Sequence, residues 1–107
     1  MASLLARDLP FDAVFVASDV VAIGAIGALR EAGRQVPSDI SIVGFDDIPL
    51  AGFFFPPLTT VRLPAYELGR AAGDALLERI AGSATDTRKL LPTELIVRAS
   101  TAPPPSP

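Results

Sequence analysis

Eight residues, Ile40-Ser41-Ile42-Val43-Gly44-Phe45-Asp46-Asp47, constrain the architecture of this chain more than any other stretch. Ile40, Ile42 and Val43 form a short, mostly β-branched apolar run without the clean alternation of a solvent-facing strand. The run therefore reads as a short strand buried on both faces, as in parallel sheets. Gly44 is expected to close the strand where the backbone passes close to another group. Asp46 and Asp47 then fall just past its carboxyl end, the edge where ligands bind in open α/β sheets. Two carboxylates at the mouth of a buried strand are costly to dehydrate unless a partner hydrogen-bonds them. They are the leading candidate site.

The segments on either side fit the same architecture. Ala13-Val14-Phe15-Val16-Ala17 is a second short apolar strand, and Ser18 or Asp19 can cap the helix that follows. That helix is expected over residues 20–32, stopped by Gly33. It has no polar side until Arg30-Glu31, whereas a surface helix carries one apolar stripe and a polar back. Ala22, Ala25, Ile26 and Leu29 suit a face laid on the sheet. Ile23, Gly24 and Gly27 then need a second partner, and a subunit interface is the favoured reading over a doubly buried core helix. Val36-Pro37-Ser38-Asp39 reads as a turn before the central strand.

Beyond the acids, Phe53-Phe54-Phe55 sits in a proline-bounded loop and cannot point inward as a block. Either one ring is left exposed, or the run covers a ligand or joins the same interface. Residues 58–62 read as a further extended segment. Residues 67–81 have an amphipathic period, with Leu68, Ala72, Ala75, Leu76 and Ile80 opposite Glu67, Arg70, Asp74, Glu78 and Arg79. Residues 82–87 are expected to be a mobile loop, 93–98 a strand, plausibly at a sheet edge, and the proline-rich 102–107 a disordered tail. Residues 3–7 resemble the last turns of a helix stopped by Pro10. Strand–helix–strand with short loops implies a parallel sheet with flanking helices, an α/β class. Its small size suggests a piece of a larger domain.

Composition removes several functions. With no Cys and no His in 107 residues, thiol catalysis, Ser-His triads, disulfides and nearly all zinc chemistry are excluded. Nine Lys+Arg against twelve Asp+Glu give a formal charge of −3, without the clustered cations of a nucleic-acid surface. No signal peptide or roughly 20-residue apolar span is evident, and a cytoplasmic address is expected. No metal or cofactor is expected either.

Together, several motifs resemble one family. Phe15-Val16-Ala17-Ser18-Asp19, Ala22-Ile23-Gly24-Ala25, the run from Gly33 through Asp47, Pro57-Leu58-Thr59-Thr60-Val61-Arg62, and Leu91-Pro92-Thr93-Glu94-Leu95-Ile96-Val97-Arg98 follow the C-terminal part of LacI/GalR-type bacterial transcriptional regulators. The resemblance implies a partial periplasmic-binding-protein-like (type I) sensor domain over residues 1–101. Residues 1–60 and 89–101 would belong to a C-terminal lobe, 61–64 to a crossover, and the helix over 65–81 to an N-terminal lobe. It implies that Asp46 hydrogen-bonds a small polar effector, a sugar or nucleobase-like molecule, and that Ser18 contacts ligand hydroxyls. Asp19 is expected to cap the helix and Asp47 to hold loop backbone. Ile23, Ile26, Gly27 and Phe54 are assigned to a homodimer interface. Operator DNA would be read by an N-terminal domain outside this chain, and no membrane is involved. Two rival functions share these features: a sugar-binding protein of a transport system, and a small enzyme using Asp46 and Asp47 as an acid/base or Mg²⁺ site.

Overall fold

The computed structural model describes residues 1–83, 88–104 and 106. Its elements run α1 (Ala2–Leu5), β1 (Ala13–Phe15), α2 (Asp19–Glu31), β2 (Ser41–Asp46), a 3₁₀ turn (Pro49–Gly52), β3 (Thr59–Arg62), α3 (Ala65–Ile80) and β4 (Glu94–Ile96). The strands lie in the order β1-β2-β3-β4, so β1 and β4 are the outer strands. β1 pairs parallel with β2, Phe15 opposite Val43, and β2 pairs parallel with β3, Gly44 opposite Thr60 and Asp46 opposite Arg62. The chain separates into two compact units, residues 1–62 with 95–107 and residues 63–94.

In the first unit, α2 covers one face of the sheet. Ala22, Ala25, Ile26 and Leu29 point inward, as their three- and four-residue spacing requires. Val16, Ala22, Ile26, Leu29, Ile40, Ile42, Ala51 and Leu58 form one cluster. Each large apolar side chain buried there stabilises the fold by about 1.5–3 kcal/mol. α2 ends because Gly33 takes a positive φ of 73°. The Gly33 N–H donates to Arg30 O (3.0 Å) and the Arg34 N–H to Leu29 O (2.9 Å), the paired bonds of a Schellman stop.

β2 departs from expectation in two ways. Burial along it alternates, with Ile42 and Gly44 covered and Ser41, Val43 and Phe45 half-exposed, so it is not buried on both faces. It also continues through Gly44 to Asp46. Glycine is needed there for close approach rather than for stopping the strand. A Cβ on Gly44 would overlap the Asp19 carboxylate and come within 3.0 Å of Leu58 Cδ2.

The segment after β4 ties the strands together. The Ser100 hydroxyl, fully buried, donates to Ile42 O (2.6 Å) and accepts the Thr59 N–H (2.8 Å), while the Ile42 N–H donates to Ser100 O (2.8 Å). Ala102, assigned to a disordered tail, donates its N–H to Ser41 Oγ (3.0 Å). Pro105 and Pro107 of that tail, and residues 84–87 of the expected loop over 82–87, lie outside the described residues.

In the second unit, α3 carries the expected amphipathic period, but none of its residues is buried. Leu68, Leu76, Leu77 and Ile80 are exposed. Leu68, Ala71, Ala72 and Ala75 share a groove of about 150 Å³ with Lys89 and Leu91.

Candidate functional site

The carboxyl end of β2 gathers the candidate residues. Asp46 and Asp47 both hold positive φ values, 114° and 56°. Such backbone costs of order 1–3 kcal/mol per residue and persists only where the surroundings impose it. The two side chains have different surroundings. Asp47 is nearly buried, 7% exposed, and each of its oxygens takes one guanidinium bond. Arg62 Nε donates to Oδ2 (2.6 Å) and Arg98 Nη2 to Oδ1 (2.7 Å). Arg98 is itself fixed, since its Nη1 donates to Leu58 O (2.9 Å) and its backbone N–H to Thr59 Oγ1 (2.9 Å). Burial pushes the Asp47 carboxyl up, but the hydrogen bonds and charges of Arg62 and Arg98 outweigh it and hold it below the ordinary carboxylate range. The expectation that Asp47 holds loop backbone is therefore corrected: two arginines 15 and 51 residues away take both oxygens.

Asp46 is exposed, and its carboxylate has no hydrogen bond or ion pair among the described residues. It is an acceptor-only group facing outward at a sheet end.

Ser18 takes the capping role expected of Asp19. Ser18 is the N-cap of α2, its Oγ accepting the Val21 N–H at 3.3 Å. Asp19 is inside the first turn and fully buried. Its Oδ1 accepts the Thr60 hydroxyl (2.5 Å) and its Oδ2 the Ile48 N–H (2.9 Å). Asp19 is not the cap, because both oxygens are already committed to groups on β3 and on the loop after β2. These partners lie 41 and 29 residues away, so no local signal marks them.

The residues assigned to an interface divide. Ile26 is 2% exposed and packs in the core, so it is not available to a partner. Ile23 and Gly27 are half-buried on the other side of α2, and a Cβ on Gly24 or Gly27 would meet nothing within 4 Å. Val20 and Val21 on that helix are exposed. Phe54 packs partly on the core, while Phe53 and Phe55 stand out at 88% and 80%. Two of the three rings are thus exposed, just past a 3₁₀ turn over Pro49–Gly52 that buries Ala51.

Other features lie elsewhere. A concavity of about 510 Å³ is lined by Asp8, Phe11, Asp12, Arg34, Asp39 and Ile40 among others. Asp12 and Ile40 immediately precede β1 and β2, so it opens at the end of the strands opposite Asp46. Among the described residues no three carboxylates gather closely enough to hold a metal ion, and no helix is long and apolar enough to cross a membrane.

The periplasmic binding protein-like domain profile matches residues 1–101. The lactose operon repressor of Rhizobium radiobacter is 46% identical over 102 residues, covering 95% of this chain and 90% of that one. Other curated transcriptional regulators match at 45–50% identity, and the chain spans only 29–30% of their length. Among solved structures, the transcriptional regulator CelR–cellobiose complex superposes with a TM-score of 0.84 at 42% identity, over 92% of this chain and 31% of that one. The lac repressor dimer bound to operator and the anti-inducer ONPF gives 0.84 at 37% identity, over 92% and 35%. The four-stranded α/β sheet, the order of its elements and these likenesses agree: the chain belongs to the periplasmic binding protein-like domain family, as part of the sensor domain of a LacI-type transcriptional regulator.

Proposed function

We propose that this chain is the effector-sensing and dimerisation portion of a LacI-type DNA-binding regulator, and that Asp46 receives the effector. The observation that carries the reading is the contrast at the end of β2. Asp47 is saturated by Arg62 and Arg98, while Asp46 is held at a costly φ of 114° with its carboxylate unpartnered among the described residues. A carboxylate there accepts hydrogen bonds from sugar hydroxyls or a nucleobase N–H. Ser18, at the N-terminus of α2, is the second contact; its oxygen caps the helix, and a hydroxyl can donate as well as accept. The cellobiose bound to the regulator CelR makes a sugar the favoured ligand class.

The outer side of α2, through Ile23 and Gly27 with the exposed Val20 and Val21, joins Phe54 and its flanking rings in the homodimer surface. Residues 61–64 are read as the crossover between lobes, with the helix over 65–81 in the N-terminal lobe. Ligand changes the regulator only to the extent that it binds one lobe arrangement better than another. Operator DNA is contacted through a reading domain outside these 107 residues, in the cytoplasm. The chemistry is binding rather than turnover. Asp47 is committed to two arginines and, among the described residues, no acid or base bonds Asp46.

Calorimetric titration with cellobiose tests the reading. A charge-assisted hydrogen bond contributes about 1.5–3 kcal/mol, so Asp46→Ala should weaken sugar affinity by roughly tenfold or more. An unaltered affinity would reject it.

A further inference from the structure

We infer that Asp19 is a positioning residue for Asp46, gripping the end of β2 from both sides. The inference rests on the reading of Asp46 as the effector contact and adds to it the group that sets where that carboxylate stands. Asp19 is fully buried in the first turn of α2. A buried carboxylate is tolerated only when its oxygens are hydrogen-bonded, and both are.

Upstream of Asp46, Oδ1 accepts the Thr60 hydroxyl at 2.5 Å. Thr60 lies opposite Gly44 in the β2–β3 register, two residues before Asp46. Gly44 lacks a side chain where the Asp19 carboxylate sits, so strand and carboxylate are in direct contact. Downstream, Oδ2 accepts the Ile48 N–H at 2.9 Å. Ile48 is the first residue after the two positive φ values at Asp46 and Asp47. One side chain thus bonds the chain directly after the strained pair and, through Thr60 of β3 and contact at Gly44, braces the strand just before it, which is what a costly φ needs in order to persist. The first-turn location adds a favourable interaction between the carboxylate and the N-terminal end of α2.

Asp19→Asn separates this role from charge. Its Oδ1 can still accept the Ile48 N–H, and its Nδ2 can donate to Thr60 Oγ1, because a hydroxyl accepts as well as donates. Asp19→Ala removes both bonds.

The test is NMR of the whole chain without ligand, reading the Asp46 Cα and carbonyl shifts, which report its φ, and exchange of the Ile48 amide. In the unaltered chain the Ile48 amide should exchange at least 100-fold more slowly than in an unfolded peptide. Asp19→Ala should move the Asp46 shifts toward unfolded values and release Ile48, and Asp19→Asn should restore both. Should Asp19→Ala fail to fold, Thr60→Val removes one of the two grips with its shape kept and should shift Asp46 in the same direction by less. A freely exchanging Ile48 amide in the unaltered chain, or Asp46 shifts unmoved in a folded Asp19→Ala or Thr60→Val chain, would overturn the inference. Since no sugar is added, such a failure is distinct from a failure of Asp46 to bind effector, which the Asp46→Ala titration reads by itself.

Discussion

Asp46 and Arg62 face each other across the β2–β3 pairing, yet the Arg62 guanidinium bonds the carboxylate of the next residue, Asp47, at 2.6 Å. Asp46 is left facing outward with no ion pair among the described residues, while its neighbour anchors the backbone that carries it. Two adjacent acids thus differ in their surroundings, one bonded by two arginines and one exposed.

The structural half has a pH signature. The Asp47 carboxyl titrates below the ordinary carboxylate range in the folded chain. The stability it contributes is therefore fully present above the unfolded carboxylate value of about 4 and is lost as pH falls through the lowered folded value. Asp47→Asn should cost about 1.5–3 kcal/mol at neutral pH, the range for hydrogen bonds to charged groups. In urea denaturation the gap between the two chains should narrow on acidification below about pH 4. A gap that stays constant into that acid range would remove the charge from the explanation.

Gly44→Ala should destabilise the chain by about 1–3 kcal/mol, as overpacking does, because the new methyl meets the Asp19 carboxylate and Leu58. Gly27→Ala, in the middle of α2 with open space at its Cβ, should instead stabilise the isolated chain by about 0.5–1 kcal/mol through helix propensity. Thermal unfolding of the two variants should move in opposite directions.

Ile26 and Phe53 separate core from exposed surface. Ile26→Ala should cost about 2–5 kcal/mol of stability, since that side chain belongs to the core cluster. Phe53→Ser, at a ring 88% exposed, should leave stability within about 0.5 kcal/mol but shift a dimer toward monomer in sedimentation velocity. If Phe53→Ser leaves self-association unchanged, that ring has no part in the homodimer surface.

Much of this was legible in the sequence because it is local. Periodicity placed Ala22, Ala25, Ile26 and Leu29 on the inner face of α2, and the strand–helix–strand order implied parallel pairing. The acids at the end of β2 followed from a strand running out into Asp46-Asp47. What was not legible depends on groups distant in sequence. Asp19 reads as a helix cap until Thr60 and Ile48 are seen on its two oxygens, and Asp47 reads as a loop residue until Arg62 and Arg98 close on it. Gly44 looked like a stop because glycine weakens strands, but its missing side chain is the space that Asp19 occupies. Ile26 suits either side of α2 by sequence, and only the packing shows that the core takes it.

The central claim, an effector held at the carboxyl end of β2, is tested most directly by following backbone amide shifts of the unaltered chain during titration with cellobiose. The account predicts saturable shifts centred on Asp46 and Ser18, with the cleft around Asp12, Arg34 and Asp39 at the opposite end of the strands left unmoved. Shifts centred on that cleft, with Asp46 and Ser18 unchanged, would contradict it.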